Sequence, residues 1–136
     1  MANTRYCLQC DDGTKLQHGV HDLCGQVQGV AYAVKGVAGW HCPTCGEVEF
    51  DPGSDGAIRL SAAMRNARQA ALLEQAAQLR ATRRKLKLTQ AEAGKLFGGG
   101  VSAFSEYERG KTQPHRSTVL LLKLLGQHPE LLAEVR

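Results

Sequence analysis

The stretch Leu88-Thr-Gln-Ala-Glu-Ala-Gly-Lys-Leu-Phe-Gly-Gly-Gly-Val-Ser-Ala-Phe-Ser-Glu-Tyr-Glu-Arg-Gly110 decides the fold of the C-terminal half of the chain. Thr89, followed three residues later by Glu92, is the capping-box pattern that begins a helix. Three consecutive glycines at 98–100 end this helix, because glycine adopts left-handed backbone conformations and contributes no side chain to pack. A second helix is expected to begin at Val101 and to end at the final glycine.

Two short helices joined by a tight glycine turn form a helix-turn-helix, whose second helix enters the major groove of DNA. An ordinary αα-hairpin in a helical bundle is the alternative. The region upstream favours the first interpretation, because a helix over 74–86 places an apolar stripe, with one arginine in it, beneath the motif. That stripe consists of Ala76, Leu79, Arg83 and Leu86.

Two further helices are predicted after the motif. Ser117 is expected to cap the first, Gly126 to end it, and Pro129 to begin the second. Both are rich in leucine, and a small domain with this much leucine on its surface is expected to bury part of it in a partner subunit. The predicted assembly is a homodimer that presents two recognition helices about 34 Å apart to a palindromic site.

Charge divides the chain into two halves. Residues 1–60 carry four Lys or Arg and seven Asp or Glu, a net charge of −3, whereas residues 61–136 carry thirteen against six, a net charge of +7. The basic half favours nucleic acid as a partner and the acidic half a different one, unless the basic residues only solvate a surface. No run of 18 apolar residues and no signal-peptide pattern is present, so a cytoplasmic protein without membrane contact is expected.

All five cysteines lie within the first 45 residues, and four of them form the C-x-x-C pairs Cys7/Cys10 and Cys42/Cys45. Two such pairs supply the four thiolates of a tetrahedral structural zinc site, which predicts one Zn²⁺ per chain. The alternative is a dithiol redox pair, but that usually appears as one C-x-x-C beginning a helix after a strand. A closed four-thiolate site leaves no open position for water, which argues against metal catalysis.

The remaining cysteine and three histidines of this region have open roles. Cys24 is expected to be a small buried side chain, with a spare thiol or a substitute metal ligand as alternatives. His18, His21 and His41 are interpreted as surface residues, because four thiolates already complete a zinc site.

Between the two cysteine pairs, the segment Val27–Trp40 is predicted to be a strand, since Val30, Tyr32 and Val34 alternate on one face. We expect a small antiparallel, zinc-ribbon-like sheet. The turn cluster at 51–56 then marks a boundary.

Helix is favoured from Ala57 to Ala93, where the chain has neither proline nor glycine. Ser61 is a candidate N-cap for this helix.

The residues from Leu88 to Gly98 and from Phe104 to Gly110 resemble the Xre/Cro class of helix-turn-helix proteins. With the upstream cysteine pairs, the Phe-Gly-Gly-Gly-Val turn and the ending Gln127-His-Pro-Glu-Leu-Leu132, the whole chain resembles the MqsA-family antitoxins. The resemblance implies an antitoxin whose zinc domain binds a toxin ribonuclease. It further implies that the helical domain dimerises and represses the operon of the pair by binding an operator in double-stranded DNA.

The predicted fold class is therefore α+β. A zinc-binding β domain is expected at 1–56, a helical linker at 57–73, and an all-α, Xre/Cro-like domain for DNA binding and dimerisation at 74–136.

The resemblance also implies roles for individual residues. It places base reading at Ser102 and Glu106, with Val101 and Ala103 beside them. Members of the family typically have Asn and Arg where this chain has Ser102 and Glu106, so the operator sequence of the family does not transfer.

Thr89 and Gln90 match positions that meet phosphate through a helix N-terminus, and Lys111 in the following loop completes the DNA-contacting set. Arg83 and Glu108 match a structural ion pair between two helices of the class.

The orientation of the second motif helix follows from its apolar residues. Three side chains are expected to point inward: Val101, Phe104 and Tyr107. Three are then expected to face the groove: Ser102, Ala103 and Glu106. A carboxylate there accepts a hydrogen bond from the N4 amino group of cytosine, or less often from N6 of adenine. The alternative is a bystander carboxylate held by Lys111 or Arg109.

Three functions compete on these observations. The first is a DNA-binding antitoxin and autorepressor, the second a stand-alone regulator with a structural zinc module and no toxin. The third, a thiol or zinc enzyme, has little support, because the sequence shows no nucleophile with an adjacent base and no open metal site.

Overall fold

The computed structural model describes residues 3–136 and shows a three-stranded sheet followed by helices. The strands are β1 (Gln17–Val27), β2 (Val30–His41) and β3 (Val48–Phe50), and the helices are α1 (Gly56–Lys85), α2 (Gln90–Phe97), α3 (Ala103–Glu108), α4 (Arg116–Gln127) and a terminal 3-10 helix (Pro129–Val135). The predicted α+β class is confirmed. No helix within these residues has the length and apolar character needed to span a bilayer.

Two compact units divide the chain between Arg68 and Gln69. The boundary lies inside the segment 57–73, which the sequence analysis treats as a linker. The domain extents given there stay a prediction.

The sheet is an antiparallel meander in the order β1-β2-β3. The strand expected over Val27–Trp40 is present as β2 but begins at Val30, because Val27 ends β1 and pairs with Val30. Between them, Gln28 and Gly29 both have positive φ, of 51° and 84°. Two such residues form the tight turn that matches the twist of a hairpin, and this turn gives the first unit an additional strand.

A bulge opposite Asp22 shifts the alternation of β2. Val34 and Val37 are both buried although they lie three residues apart, since the register between the strands slips at this point. The Asp22 carboxylate accepts the backbone N–H of Gly36 at 2.8 Å. Arg59, near the start of α1, donates to the carbonyl oxygens of Lys35 and Gly36 at 2.6 and 3.0 Å. The bulge therefore joins the hairpin to α1.

Helix α1 is continuous over 30 residues. The expectation of separate helices over 57–73 and 74–86 is wrong, and so is Ser61 as the N-cap, because the helix already begins at Gly56. No proline or glycine interrupts the segment, so nothing in the backbone favours a break. The predicted stripe is present, since its four members, Ala76, Leu79, Arg83 and Leu86, are all buried.

The second unit has a core of leucines around Phe104, which is fully buried. Its buried members are Leu79, Leu86, Leu88, Ala93, Phe104, Leu122 and Leu125. The predicted capping box begins α2: Thr89 Oγ1 accepts the N–H of Glu92 at 3.1 Å, and the Glu92 carboxylate accepts the N–H of Thr89 at 2.7 Å. These bonds fix the start of the motif locally.

The turn between α2 and α3 uses all three glycines at positive φ, with values of 90°, 91° and 85° for 98–100. The second helix begins at Ala103, two residues later than predicted. Ala103 is only 7% exposed and Val101 is 59% exposed. Both orientations differ from the prediction, because a Cβ at Gly99 would lie 2.7 Å from the Ala103 Cβ. Ala103 thus packs against the bare backbone of the turn.

Helix α4 begins at Arg116, and its N-cap is His115 instead of Ser117. His115 Nδ1 accepts the N–H of Ser117 at 3.3 Å, so an imidazole satisfies a free donor of the first turn. The helix continues through Gly126 to Gln127. The last helix begins at Pro129 as predicted, but it is a 3-10 helix.

Gly94, in the middle of α2, allows the turn to fold back onto the helix. A Cβ at this position would lie 2.0 Å from the carbonyl oxygen of Gly100. We expect Gly94→Ala to destabilise the helical unit by about 2 kcal/mol, because overpacking against backbone costs about 1–3 kcal/mol and exceeds the gain in helix propensity. Chemical denaturation followed by circular dichroism measures the change.

Gly126→Ala in α4 is the matched control. Its Cβ would meet only the Thr82 side chain, at 3.0 Å, so this variant should be as stable as the wild type or more so. Equal losses for both variants would contradict the steric explanation for Gly94.

Candidate functional site

Four thiols come together at one end of the sheet. The Sγ atoms of Cys7, Cys10, Cys42 and Cys45 all lie within 4.8 Å of one another, as a group able to hold a metal ion. The short distances join the two pairs: Cys7 to Cys45 at 3.5 Å and Cys10 to Cys42 at 3.8 Å. A tetrahedral ion with metal–sulfur bonds of about 2.3 Å separates its sulfurs by about 3.8 Å. The donor atoms and their spacing therefore fit zinc.

Backbone hydrogen bonds in two similar turns position these thiols. The N–H of Cys7 donates to the Thr14 carbonyl at 2.8 Å, and the N–H of Cys42 donates to the Glu47 carbonyl at 2.8 Å. Each of these hydrogen bonds closes a short loop that contains one cysteine pair. Cys7 and Cys42 are buried and, together with Leu16, form the apolar cluster of this end of the unit.

The second turn favours a thiolate. Backbone N–H groups of Cys45 and Thr44 point at Cys42 Sγ from 3.5 and 3.4 Å. The N–H of Cys45 is the main reason that the pKa of the Cys42 thiol falls to about 6, against the opposing effect of burial. The thiolate is the form that binds a metal ion.

A redox pair fits the arrangement less well, since the helices of residues 3–136 begin at Gly56 or later and neither C-x-x-C starts one.

The other candidate ligands lie outside this group. Cys24 is exposed on β1, so the expectation of a buried side chain is wrong, because it falls on the open face of an edge strand. His18 is exposed and donates through Nε2 to the Asp51 carboxylate at 2.9 Å. His41 is buried, contrary to the prediction, and its Nε2 donates to the Val37 carbonyl at 3.0 Å.

The helix-turn-helix presents a short polar face. Ser102 is exposed and Glu106 half-exposed, and the two lie one turn apart, so both occupy the same side of α3. Val101 precedes them on the turn and is exposed as well. Ala103, by contrast, is buried, so its predicted outward orientation on α3 is wrong.

Of the other residues predicted to contact DNA, two make hydrogen bonds within the protein and one is exposed. The Thr89 hydroxyl caps α2, and the Gln90 side-chain amide donates to Glu108 Oε2 at 3.0 Å. Lys111 is exposed in the loop after α3.

A bidentate ion pair holds the motif to α1. Arg83 Nε and Nη2 donate to the two carboxylate oxygens of Glu108 at 2.5 and 3.0 Å, and Nη1 donates to the Leu88 carbonyl at 2.7 Å. The two side chains are 10% and 3% exposed. Burial alone would raise the pKa of Glu108, but hydrogen bonds from Arg83 and then Gln90 outweigh it and lower the pKa. The carboxylate therefore stays ionised in the folded protein.

Sequence reasoning missed two polar contacts of this motif. The first is the hydrogen bond from Gln90 to Glu108. The second runs from Thr112 Oγ1 to Glu106 Oε2, at 3.4 Å. Both join residues of different elements, and no spacing rule within one helix predicts them.

Comparison with known proteins gives one family. Residues 5–136 match the family described as the antitoxin component of the bacterial toxin-antitoxin system, MqsA. The chain is also similar to the antitoxin MqsA of Escherichia coli (strain K12), with 38% identity over 130 residues that cover 96% of this chain and 98% of the relative. The similarity therefore includes both the cysteine group and the helix-turn-helix.

We expect Glu108→Gln to destabilise the helical unit by about 3 kcal/mol at pH 7, because it leaves a buried arginine without its counter-charge. Since folding lowers the pKa of Glu108, the stabilisation is complete above the unfolded-state pKa of about 4.3 and is lost as the pH falls through the lower folded-state value. The difference in unfolding free energy between variant and wild type should therefore shrink below about pH 4.

Glu130→Gln is the control for this experiment. Glu130 lies in an exposed pair with His128 in the same unit, and this substitution should have no measurable effect on stability. A difference between wild type and Glu108→Gln that stays constant from pH 7 to pH 3 would rule out the ionised pair as its cause.

Proposed function

The chain belongs to the MqsA family of antitoxins, and we propose that it represses its own operon by binding DNA and that it also binds a toxin ribonuclease. The observation that supports the DNA-binding role best is the α2–turn–α3 arrangement. Its inner side is fixed by the pair of Arg83 and Glu108, and its outer side exposes Val101, Ser102 and Glu106. A second helix that is held in place on its inner side and carries Ser102 and Glu106 on its outer side suits insertion into a major groove.

Charge supports the same division of roles. The net charge of +7 on residues 61–136 attracts the phosphate backbone. Thr89, Gln90 and Lys111 lie at the N-terminus of α2 and in the loop after α3, and we propose that backbone groups and Lys111 contact phosphate there. Residues 1–60, with a net charge of −3, are suited to a basic protein, and we place the toxin on this half.

We further propose that the four thiolates of the first unit bind one structural zinc ion. In this role the ion supplies no reaction chemistry, because four cysteines fill its coordination sphere. We assign no catalytic activity to the chain, and the proposed role places it in the cytoplasm with the DNA. A stand-alone regulator without a toxin is the second candidate, but similarity over both halves to an antitoxin favours the first.

Dimerisation is proposed for α4. Leu120 and Leu124 lie one turn apart on this helix and remain 54% and 46% exposed. Burying each leucine against a second copy contributes about 1.5–3 kcal/mol. A dimer joined here would present two copies of α3 to a palindromic operator.

Cys42→Ser tests the zinc and toxin roles together. We expect the wild type to contain one zinc per chain by metal analysis, and the variant to lose it and to unfold in the first unit only. Trp40, the single tryptophan, reports the first unit by fluorescence, while circular dichroism reports the helices. The variant should no longer co-purify with the toxin and should still bind DNA.

Thr44→Ser, inside the same turn but outside the thiol group, is the control and should keep zinc and toxin. Absence of zinc from the wild type would refute the metal site. Retention of the toxin by the zinc-free variant would place the toxin on the helical half. The bound partner should cleave RNA if it is a ribonuclease.

Leu124→Glu tests the dimer. We expect it to weaken self-association about tenfold or more in analytical ultracentrifugation, because a carboxylate replaces a leucine that the proposed dimer buries. Affinity for a palindromic duplex should fall with it. Ile58→Glu, an equally drastic change at an exposed position of α1, should leave both unchanged. A variant that dimerises like the wild type would exclude this face of α4 as the interface.

A further inference from the structure

We propose that Glu106 determines the base preference of this protein by accepting a hydrogen bond from the N4 amino group of a cytosine in each operator half-site, with Val101 against the methyl group of a thymine beside it. The inference rests on the proposed DNA-binding function. It deepens that function by naming the bases that the surface of α3 selects.

The outward side of α3 is small, which limits what can read DNA. Phe104 and Ala103 face the core, whereas Ser102 and Glu106 share the opposite side of the helix. Val101 lies just before them. Glu106 is the charged member of this set and has the longest side chain, so its carboxylate reaches furthest toward a base edge.

A carboxylate selects its partner by chemistry. It only accepts hydrogen bonds, and it is repelled by phosphate, so the amino groups of cytosine and adenine are its targets in the major groove. Adenine presents the acceptor N7 next to its N6 amino group, and a second carboxylate oxygen would face that lone pair. On the side away from the pairing base, cytosine has a C5–H beside N4 where adenine has N7, so no acceptor lone pair faces the second oxygen there. Glu106 therefore favours cytosine.

The surroundings of Glu106 support a reading role over that of a bystander. Thr112 Oγ1 donates to Oε2 of the carboxylate at a long distance of 3.4 Å, and this contact does not involve Oε1. The backbone N–H of Lys111 donates to the Glu106 carbonyl at 3.0 Å, which fixes the loop against α3. Arg109 directs its Nε to the Ser105 carbonyl at 3.0 Å. One carboxylate oxygen is thus oriented while the other is available to a base.

Val101 adds an apolar contact. It is exposed because Ala103 takes the inward position at the start of α3. Exposed apolar side chains at the start of a recognition helix contact the C5 methyl group of thymine. A valine is too short to reach past the neighbouring base pair, so the thymine should adjoin the cytosine that Glu106 reads.

Selection from a randomised double-stranded DNA library, at one fixed salt concentration, tests the proposal with the full-length protein. We expect the wild type to select sites with a cytosine at one position of each half-site, preferred about tenfold or more over other bases. Glu106→Gln should move the preference at that position to adenine, since a glutamine amide pairs with N6 and N7 of adenine. Glu134→Gln, which removes the same charge from an exposed site, should keep the cytosine preference.

Two further variants test the supporting residues. Val101→Ala should reduce the preference for thymine at the adjoining position without changing the cytosine position. Thr112→Val should weaken the preference for cytosine with no loss of thermal stability. Thr112→Ser keeps a hydroxyl at this position, so this variant should keep the wild-type preference for cytosine. A purely structural role of Thr112 would change stability and leave the base preference as it is.

Each outcome bears on a different claim. A Glu106→Gln variant that gains affinity equally for all sequences would show that the carboxylate only repels phosphate, and the inference would be wrong while the DNA-binding function stands. A wild type that binds no duplex and selects no sequence from the library would overturn both.

Discussion

The buried pair of Arg83 and Glu108 is the interaction on which the helical unit depends. The Arg83 guanidinium, carried by α1, contacts two other parts of the chain: it binds the carboxylate at the end of α3 and donates to the Leu88 carbonyl before α2. Desolvating two charges is costly and is compensated only when their hydrogen bonds are made. Here Gln90 supplies a further bond to the carboxylate. Any movement of α3 relative to α1 breaks several of these bonds together.

This arrangement explains why the proposed recognition surface can be short. Helix α3 has only six residues, too few to be stable in isolation. Its orientation comes from Phe104 in the core and from Glu108 in the ion pair, both on the inner side. The outer side of α3 is therefore not needed to hold the helix in its orientation. Ser102 is exposed and Glu106 half-exposed, so substitutions there need not change the fold, and the proposed base preference can change independently of it.

Local chemistry made much of this predictable from the sequence. The capping box of Thr89 and Glu92, the glycine turn and the alignment of Arg83 with the apolar stripe each depend on residues a few positions apart. The four thiols were grouped correctly because two identical short motifs left few alternatives.

Most of the predictions that the structure contradicts concern packing between segments of the chain. Ala103 is buried and Val101 exposed, the reverse of the prediction, and the Ala103 Cβ lies so close to the turn that a Cβ at Gly99 would be 2.7 Å from it. The first strand was missed because its alternation is masked by polar and small residues and because its hairpin turn uses Gln28 at positive φ. A helix boundary was predicted in α1 where the sequence contains no breaker. The orientations at Val101 and Ala103 depend on three-dimensional contacts, which periodicity within one element does not report. The continuity of α1, by contrast, follows from the absence of a breaker in the sequence.

The two units are small, and their buried clusters differ in composition. In the helical unit, six buried apolar residues form a cluster with Phe104. At the cysteine end of the first unit, the buried cluster consists of Leu16 with Cys7 and Cys42, so the candidate metal ligands are themselves core residues. Thiolates this close together repel one another, and a bound cation offsets that repulsion. If the four thiols bind zinc as proposed, metal binding contributes to the folding of the first unit, whereas the core of the helical unit consists of apolar side chains.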